Sequence, residues 1–309
     1  MNAAIEAAGL TKTFGQKRAL DAVNLTVEEG SIFGFLGPNG AGKTTMLRLL
    51  SGLARPTSGS LHVLGHAVAA ADNAVRARIG FLPDVPAFYN WMTASETMRF
   101  AGNLYGMAGK QLDERVELLL DMAGLGQVGT KIGDYSRGMR QRLGVAQALI
   151  NAPQLLLLDE PTGALDPMGR KDVLELIASL RGRTTVFFST HILGDAERVC
   201  DSVAILDRGR VVAQAPVEEL KERYSKQKMV VEVTDGADSL AAAISQCGWA
   251  RSVTLETDAV LEVAVSDLVA AQHAIPTMVS HQGTGLARLE VKEMDLEEVF
   301  VQLVGGDRS

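Results

Sequence analysis

Cysteine is nearly absent from this sequence. Among its 309 residues only Cys200 and Cys247 occur, far apart and outside any paired motif. A disulfide scaffold or a zinc site needs more ligands at closer spacing, so we interpret both side chains as reduced thiols in apolar surroundings. The five histidines show no metal-ligand spacing either.

Long hydrophobic runs and an excess of basic charge are also missing. The apolar stretch ending at residues 155–158 is interrupted by polar residues and a proline, so it falls short of the roughly 18 apolar residues that indicate a membrane span. Residues 1–6 lack a basic region followed by an apolar core, so we expect no signal peptide. The net charge of -7 does not indicate nucleic acid as a partner. The sequence therefore predicts a protein that works at a membrane only when a partner holds it there.

Short apolar strands alternate with amphipathic helices over the first two thirds of the chain, which is the pattern of an α/β domain. Residues 31–36, 155–159 and 184–190 are apolar on both faces, as is typical of central strands in a covered parallel sheet. Strand signals stop between about 86 and 152. Helices are predicted there at 93–105, 112–123 and 138–150, which we interpret as a helical insertion between strands of the main sheet.

The pattern changes near Pro216. We expect a charged helix or linker over 217–228, with Pro216 just inside its start. The segments that follow are ordered βαββαβ, as in ferredoxin-like domains, before a last helix at 295–304. The predicted domains are 1–216, with a helical subdomain at about 86–152, and 217–309, a small accessory α+β domain.

Residues 37–44, here called the phosphate cradle, read Gly-Pro-Asn-Gly-Ala-Gly-Lys-Thr and match G-x-x-x-x-G-K-[ST] at every fixed position. Glycines let backbone N–H groups turn towards phosphate oxygens, and the following helix directs its positive end at the same anion. Lys43 is expected to reach the β- and γ-phosphates, and the Thr44 hydroxyl to bind Mg²⁺. The alternative is a chance glycine-rich turn, but a strand before it and a helix after it argue against that interpretation.

Two acids end the leucine-rich strand at 155–159. Ligands of doubly wound sheets bind at the carboxyl ends of the strands, so Asp159 is placed to hold Mg²⁺, directly or through water. Glu160 is placed to polarise the attacking water as a general base. The alternative interpretation is that an acid after a leucine run simply marks the solvated end of a strand. The segment Pro161-Thr162-Gly163-Ala164-Leu165-Asp166 that follows weakens that alternative.

Taken in order, these motifs resemble the nucleotide-binding domain of ABC transporters over about residues 3–215. They are the phosphate cradle, the signature motif Tyr135-Ser136-Arg137-Gly138-Met139, residues 155–161, Ala164-Leu165-Asp166, and Ser189-Thr190-His191. The end of the chain, with Leu-Glu-Glu-Val-Phe at 296–300, is similar, more loosely, to the extension on ATPases of ABC-2-type exporters.

The resemblance implies a role for each matching residue. Phe14 stacks on adenine, although a lone phenylalanine in a β-rich segment is otherwise a core residue. His191 contacts the γ-phosphate, while Ser136 and Gly138 close over the γ-phosphate of the opposite subunit and Asp166 couples the two sites. The implied catalytic residues are Glu160, His191 and Lys43; the implied metal ligands are Thr44, Asp159 and Asp84; and the implied nucleotide-binding residues are Phe14, Gly37, Pro38, Asn39, Gly40, Ala41, Gly42, Lys43, Thr44, Thr45, Asp84, Ser136, Gly138, Asp159 and Asp166.

Two motifs depart from the family pattern. The signature usually reads Leu-Ser-Gly-Gly-Gln, but the serine and the second glycine remain as Ser136 and Gly138, so phosphate contact is expected to remain. Asp84 stands where the family usually has Gln or Glu. Because Asp is one methylene shorter than Glu, either a direct metal contact or a bridging water is open at this position.

The function implied is an ATPase that binds ATP and Mg²⁺ and powers transport, by export, through a separate ABC-2-type permease. A homodimer is favoured because one chain carries every element of an active site, and the location implied is the cytoplasmic face of the cell membrane. Two alternatives exist. One is a non-transport member of the superfamily, such as a DNA-repair or translation ATPase, but these carry long coiled-coil insertions or two cassettes, and this sequence has neither. The other is an unrelated P-loop enzyme, such as a small-molecule kinase or a GTPase, but these lack the 135–139 signature motif, and the sequence has no guanine-reading Asn-Lys-x-Asp.

Two hypotheses concern surfaces. Phe88-Tyr89-Asn90-Trp91 contains three aromatic residues in a region that faces the permease in the family, so these rings either line a groove for a permease helix or pack inside the helical subdomain. The accessory domain is regulatory, docks a partner or supports the dimer, and we favour dimer support.

Overall fold

The computed structural model describes residues 2–68, 73–163, 165–224, 228–292 and 295–305. The chain divides into two compact units, one formed by residues 1–217 with 303–309 and the other by residues 218–302. The sequence prediction placed the domain boundary between 216 and 217. Within the described ranges, no helix combines the length and the apolar character that crossing a bilayer requires.

Two sheets form the framework of the first unit. Its strands are β1 (Ala3–Phe14), β2 (Lys17–Glu28), β3 (Ile32–Leu36), β4 (Ser58–Val63), β5 (His66–Ala67), β6 (Ile79–Leu82), β7 (Leu155–Asp159), β8 (Thr185–Thr190), β9 (Ser202–Asp207) and β10 (Arg210–Pro216). An antiparallel sheet has the order β2-β1-β4-β5, and the main sheet has the order β10-β9-β3-β8-β7-β6. Strands β9 to β6 of the main sheet are parallel, and β10 is antiparallel to β9. The prediction of an α/β domain with central parallel strands is confirmed.

The helices of the first unit are α1 (Lys43–Leu50), α2 (Asn73–Arg76), α3 (Ala94–Leu104), α4 (Gly109–Met122), α5 (Arg137–Ala148), α6 (Pro167–Ala178) and α7 (Leu193–Val199). Helices α3, α4 and α5 fall between β6 and β7, where the sequence predicts a helical insertion. Thr93 caps α3 by accepting a hydrogen bond from the Glu96 backbone N–H, and the Glu96 carboxylate accepts one from the Thr93 N–H. This reciprocal cap explains why the helix begins directly after Thr93.

The core of the first unit is built around the central strands. Every residue of β3, β7 and β8 is buried, which is why these segments are apolar on both faces. The Phe33 and Phe187 rings stack with centroids 5.6 Å apart, and Phe35 lies 5.3 Å from Phe187. Met46 and Leu50 of α1 are buried in the same cluster, so the helix that follows the phosphate cradle is held firmly against the sheet.

Two helices differ from the predicted bounds by three residues at one end. The sequence predicts the helix after the phosphate cradle over 44–53, but α1 ends at Leu50, because Gly52 has a φ of 68° and so terminates the helix in the left-handed region. Helix α4 begins at Gly109 rather than 112. Its first turn is exposed and carries Lys110 and Gln111, so hydrophobic periodicity gives no sign of it.

The second unit has its own sheet and core. The elements after β10 are α8 (Val217–Tyr224), β11 (Lys228–Val233), α9 (Ala237–Ser245), β12 (Ala250–Thr257), β13 (Val260–Val265), α10 (Leu268–Gln282), β14 (Leu286–Lys292) and α11 (Leu296–Gly305). The sheet order β12-β13-β11-β14, antiparallel throughout, is that of a ferredoxin-like domain. Alternate residues such as Met229 and Val231 face a core that includes Leu240 and Ile275. One detail was wrong: Pro216 ends β10 and precedes the helix, instead of lying inside its start.

Candidate active site

The predicted catalytic segments leave three neighbouring parallel strands at the same edge of the main sheet. Strand β8 lies between β3 and β7, with Leu36 paired to Thr190 and Asp159 paired to Ser189. The phosphate cradle follows β3, Glu160 follows β7 and His191 follows β8. Because the carboxyl ends of parallel strands meet at one edge, segments far apart in sequence converge there.

Two glycines of the phosphate cradle have no room for a side chain. A Cβ on Gly37 would lie 2.4 Å from the Leu206 carbonyl oxygen, and one on Gly42 would lie 2.5 Å from the Ala19 carbonyl oxygen. Gly42 also has a φ of 119° and caps α1, so only glycine fits the turn that starts the helix. The cradle thus leads directly into the positive end of α1, which suits an anion.

Lys43 is buried and held by oxygen atoms on both sides. Its Nζ donates to the Gly37 carbonyl oxygen at 2.7 Å and lies 3.1 Å from Glu160 Oε1. Only 6% of the side chain is exposed, so the ammonium group is fixed in position rather than free in solvent. The group is therefore placed where the cradle and the acid after β7 meet.

Glu160 lies between Lys43 and His191. Its Oε2 is 2.8 Å from His191 Nδ1, while its backbone N–H donates to the Ser189 carbonyl oxygen at 3.1 Å. The backbone φ of 46° is uncommon for a residue with a side chain and turns the chain sharply after β7. A carboxylate held between a lysine and a histidine, and 14% exposed, has the position expected of a general base.

Asp159 and Thr44 supply oxygen atoms beside this acid. The Ser189 hydroxyl donates to Asp159 Oδ1 at 2.6 Å, and the Thr44 hydroxyl also bonds to this carboxylate. Burial raises the pKa of Asp159, Ser189 and Thr44 act against that shift, and the negative charges of Glu160 and Asp84 add to it. A buried carboxylate beside a hydroxyl and two further acids is a hard-oxygen environment that a cation stabilises, so these residues fit Mg²⁺.

Asp84, Thr45 and Phe14 lie around this centre. Asp84 is exposed and acts on Asp159 through its charge, and its Oδ1 is 3.8 Å from where a Cβ on Gly163 would stand. Thr45 is half-buried in the first turn of α1. Phe14 pairs with Lys17 at the end of β1 and is 50% exposed, so it is not a core residue. Five residues after Phe14, in β2, the Ala19 carbonyl oxygen lies 2.5 Å from where a Cβ on Gly42 would stand, so the chain passes the cradle shortly after Phe14.

Ser136, Gly138 and Asp166 form a second group. Ser136 caps α5 by accepting from the Met139 N–H at 3.2 Å, and Asp166 caps α6 by accepting from the Gly169 N–H at 3.2 Å. A Cβ on Gly138 would be 3.5 Å from the Gly169 Cα, so the two helix starts approach closely. No hydrogen bond or ion pair among the described residues joins this group to Lys43 or Glu160. Ala164, part of the predicted motif, lies outside the described residues.

Comparison with known proteins agrees with this geometry. A family model described as ABC transporter matches residues 20–163. The uncharacterized ABC transporter ATP-binding protein YxlF of Bacillus subtilis is 37% identical over 296 residues, covering 96% of this chain and 97% of the relative. The chain belongs to the ATP-binding proteins of ABC transporters. Its activity is that of the family, ATP hydrolysis.

Other members of this ABC transporter family also match along nearly their whole length. The daunorubicin resistance ATP-binding protein DrrA3 of Streptomyces coeruleorubidus is 37% identical, with 99% of this chain and 97% of the relative covered. The bacitracin transport ATP-binding protein BcrA of Bacillus licheniformis is 34% identical, with 99% of each covered. Among solved structures, a dimeric post-hydrolysis state of the cassette MJ0796 bound to ADP and Pi is 28% identical, with a TM-score of 0.62, and covers 69% of this chain and 98% of the other.

Sequence reasoning missed a buried network behind the predicted catalytic residues of this ABC ATPase. Asp195 in α7 is 1% exposed and accepts a hydrogen bond from the Thr162 hydroxyl at 2.5 Å. It also pairs with Arg170 of α6. Asp195 therefore ties the turn after Glu160, the helix capped by Asp166 and the helix after His191 into one unit. The signal available was weak: an acid four residues after His191 has no distinctive pattern of its own.

We expect Asp195→Asn to lower the rate of ATP hydrolysis while leaving the KM for ATP unchanged. The amide keeps the volume but loses the charge that pairs with Arg170, so Glu160 and His191 shift relative to each other. A misplacement of about 1 Å costs on the order of 100-fold in rate, and we expect about a tenfold fall for this partial loosening. Steady-state phosphate release measures it.

Glu175→Gln is the matched control, since Glu175 is an exposed acid on α6. It should hydrolyse ATP at the normal rate. A positioning role for Asp195 fails if Asp195→Asn hydrolyses normally. It also fails if kcat and ATP affinity fall together with the thermal midpoint, because general unfolding then explains the loss.

Proposed function

We propose that two copies of this chain hydrolyse Mg²⁺·ATP at shared sites and power export through a separate ABC-2-type membrane permease. The observation that carries this proposal is the placement of Glu160 between Lys43 and His191, at the strand ends and beside Asp159. Its family membership supports the coupling of this ATPase to transport.

The residues of one chain divide the work of hydrolysis. Lys43 binds the terminal phosphates, Glu160 takes a proton from the attacking water, and His191 orients Glu160 through its Nδ1. Thr44 and Asp159 would hold Mg²⁺, with Asp84 close enough to contribute through water. Bound Mg²⁺ neutralises charge on the phosphate oxygens.

A second subunit supplies the other half of each site. Ser136 and Gly138 present the positive end of α5, with an N–H group to bind an anion, but they are not joined to the Lys43 group within one chain. ATP held between the cradle of one copy and the signature motif of the other favours the closed dimer, and ADP the open one. One chain contains both halves, which supports a homodimer.

The direction and the place of transport rest on relatives. DrrA3 is named for daunorubicin resistance, and BcrA is named for bacitracin transport. We infer export, at the inner face of the cell membrane, with the chain held there by its permease.

We also assign residues 1–216 to the ATPase domain and 217–309 to dimer support. Sedimentation with ATP, comparing the full chain with residues 1–216, tests the second assignment, which fails if both dimerise equally.

A groove suited to the permease lies between β6 and the helical segment. It has a volume of about 520 Å³, and its lining includes Leu53, Phe81, Pro86, Leu104 and Gly144. Phe88, Tyr89 and Trp91, the rings that the sequence suggested for this groove, are not among its lining residues. Tyr89, Trp91 and Phe100 instead form an exposed aromatic patch, with centroid distances of 5.7 Å and 6.3 Å from Tyr89. Phe100 and Leu104 share one face of α3, so patch and groove share that helix face.

We expect Trp91→Ala to weaken coupling to the permease without reducing nucleotide binding. Trp91 is 65% exposed, so its removal takes away interface area rather than core packing. Loss of an aromatic anchor costs about 2 kcal/mol or more, which is at least about 30-fold in permease affinity. Permease-stimulated ATPase in proteoliposomes and ATP affinity of the isolated chain are the measurements.

Leu118→Ala provides a control, because Leu118 is 52% exposed on α4 in the same helical segment. It should leave permease stimulation intact. Loss of folding in Trp91→Ala supports internal packing of the ring, and normal stimulation removes the patch from the interface.

A further inference from the structure

The sheet of the second unit ends in two edge strands, β12 and β14. Its order is β12-β13-β11-β14, so each of these two strands pairs with a neighbour on one side only. Apart from the pairing with β11, the hydrogen bonds among the described residues leave the backbone of β14 unused. An edge of this kind offers a row of backbone N–H and C=O groups to which a further strand can pair.

Strand β14 is the more regular of the two edges. Residues 288–292 pair with residues 232–228 of β11 without a shift, and the one irregularity follows Glu232. Strand β12 has an irregularity at both ends, which leaves only residues 252–255 in regular register with β13. Bulges are a common way to keep an edge strand from pairing with another chain, so β12 is protected and the middle of β14 is not.

The middle of β14 carries two exposed charges of opposite sign. The side chains of Arg288 and Glu290 are 51% and 59% exposed, and they lie on the same face of the sheet as Glu232. Arg288 Nε is 3.3 Å from Glu232 Oε2, and Arg288 Nη1 is 3.6 Å from Glu290 Oε2. Exposed pairs of this kind contribute little to stability, so the guanidinium can also bind a carboxylate on a neighbouring strand.

A second copy of β14 is a strand whose charges fit this edge. In an antiparallel pair, facing side chains lie on the same side of the sheet, so a two-fold axis that relates two identical strands passes through a residue. The register that overlaps all of Leu286–Lys292 has Leu289 on this axis. Arg288 of each copy then faces Glu290 of the other, which gives two pairs of opposite charge.

Other registers of β14 lack this match. An axis through Arg288 would bring two arginines face to face, and an axis through Glu290 would do the same with two glutamates, which is repulsive. An axis through Val291 would pair Glu290 with Lys292, but it shortens the overlap to residues 290–292. The register of greatest overlap is therefore also one of charge attraction.

The opposite edge has no such register. The charged residues of β12 are Arg251 and Glu256, and a two-fold axis through Val253 or Thr254 places neither of them opposite the other. Charged side chains usually protect an edge strand from pairing. In β14 the two signs stand two residues apart on one face, so they repel most strands but attract a copy in the Leu289 register.

We propose that two copies of this chain pair their β14 strands antiparallel about Leu289, which joins two four-stranded sheets into one continuous sheet. The contact is isologous, so it closes at two copies. The inference rests on the proposed function in one respect, the assignment of residues 217–309 to dimer support, and it names the surface that gives this support.

The β14 contact acts independently of the nucleotide. One pair of strands is a small interface, so without ATP the association should be weak and concentration-dependent. With ATP bound, a β14 contact adds to the shared sites and raises the effective concentration at which they close.

Charge reversal tests the register. Arg288→Glu places a glutamate opposite Glu290 of the second copy, and Glu290→Arg places an arginine opposite Arg288, so each variant alone should dimerise about tenfold or more weakly. A mixture of the two variants restores both pairs of opposite charge and should form a heterodimer with wild-type affinity. Sedimentation equilibrium of the full chain without nucleotide, at high concentration, measures each association.

Arg251→Glu is the matched control, because it makes the same charge reversal at an exposed position of β12. It should dimerise like the wild type. The thermal midpoint of each variant is recorded as well, since Arg288 also pairs with Glu232 inside its own chain. Recovery in the mixture supports the proposal and excludes local unfolding, because mixing repairs neither chain.

Three outcomes overturn the proposal. A wild-type chain that stays monomeric without nucleotide up to its solubility limit shows that β14 does not hold two copies. Single variants that dimerise normally, or that lose dimerisation without recovery in the mixture, show that Arg288 and Glu290 do not face each other. Loss of dimerisation in Arg251→Glu instead assigns the contact to β12.

Failure of the proposed function gives a different result. Glu160→Gln would then dimerise no more tightly with Mg²⁺·ATP than without it. The association through β14, and its loss on charge reversal, would remain.

Discussion

Glu160→Gln is expected to bind ATP normally, to hydrolyse it about 100- to 10,000-fold more slowly, and to accumulate as an ATP-bound dimer. The amide keeps the size of the side chain, so it still fits between Lys43 and His191. It cannot accept the proton of the attacking water. Because the closed dimer opens only after hydrolysis in this scheme, a block in chemistry also traps the dimer. Phosphate release measures the rate, and light scattering after size exclusion measures the dimer.

A control acid lies far from this chemistry. Glu114 is exposed on α4 and pairs with Lys110 on the surface, so Glu114→Gln should turn over ATP at the wild-type rate and not accumulate dimer. Retained steady-state hydrolysis in Glu160→Gln removes Glu160 from the role of base. A slow variant that stays monomeric with ATP leaves the base in place but contradicts the shared site. Ser136→Ala should then also leave turnover unchanged.

The sequence predicts the residues at the strand ends of the candidate site because each depends on local backbone conformation. Gly42 is required by a positive φ at the start of α1, and Lys43 follows it in the first turn. Asp159 and His191 lie at or just after the ends of strands that are buried on both faces. Runs of apolar residues that end in a polar one are visible without a structure, so the convergence at the sheet edge follows from strand order alone.

The antiparallel sheet is harder to predict for a physical reason. Strands β1 and β2 are each 12 residues long, but their pairing shifts register four times, for example between Ala7 and Leu10. Each bulge interrupts the alternation of buried and exposed residues on which strand prediction depends. The sequence therefore identifies the buried parallel strands and misses the long, irregular pair beside them.

The network around Asp195 escapes prediction for another reason. Thr162 and Asp195 are 33 residues apart and meet only through packing of α7 beside the turn after β7. Nothing in the spacing of an aspartate and a threonine distinguishes this pair from many others in the chain. Buried polar contacts between distant segments are read from a structure, not from a pattern.

Lys43→Ala is expected to weaken ATP binding itself, in contrast to Glu160→Gln. In the proposed site the lysine donates charge-assisted hydrogen bonds to the phosphates, and loss of such bonds costs about 1.5–3 kcal/mol, or roughly tenfold to a hundredfold in affinity. Its removal also leaves Glu160 with His191 as its remaining side-chain partner, so hydrolysis of any bound ATP should fall further. Calorimetric titration with Mg²⁺·ATP measures the affinity.

Lys110→Ala supplies the matched comparison, since that lysine is 89% exposed and pairs with Glu114 along α4. Its ATP affinity should equal that of the wild type. Lys43 is only 6% exposed, so the thermal midpoint of Lys43→Ala must be recorded as well. A folded Lys43→Ala variant with unchanged ATP affinity would contradict the assignment of residues 37–44 as the phosphate cradle. Weakened binding in a folded chain locates the terminal phosphates beside Glu160, where the attacking water must be activated.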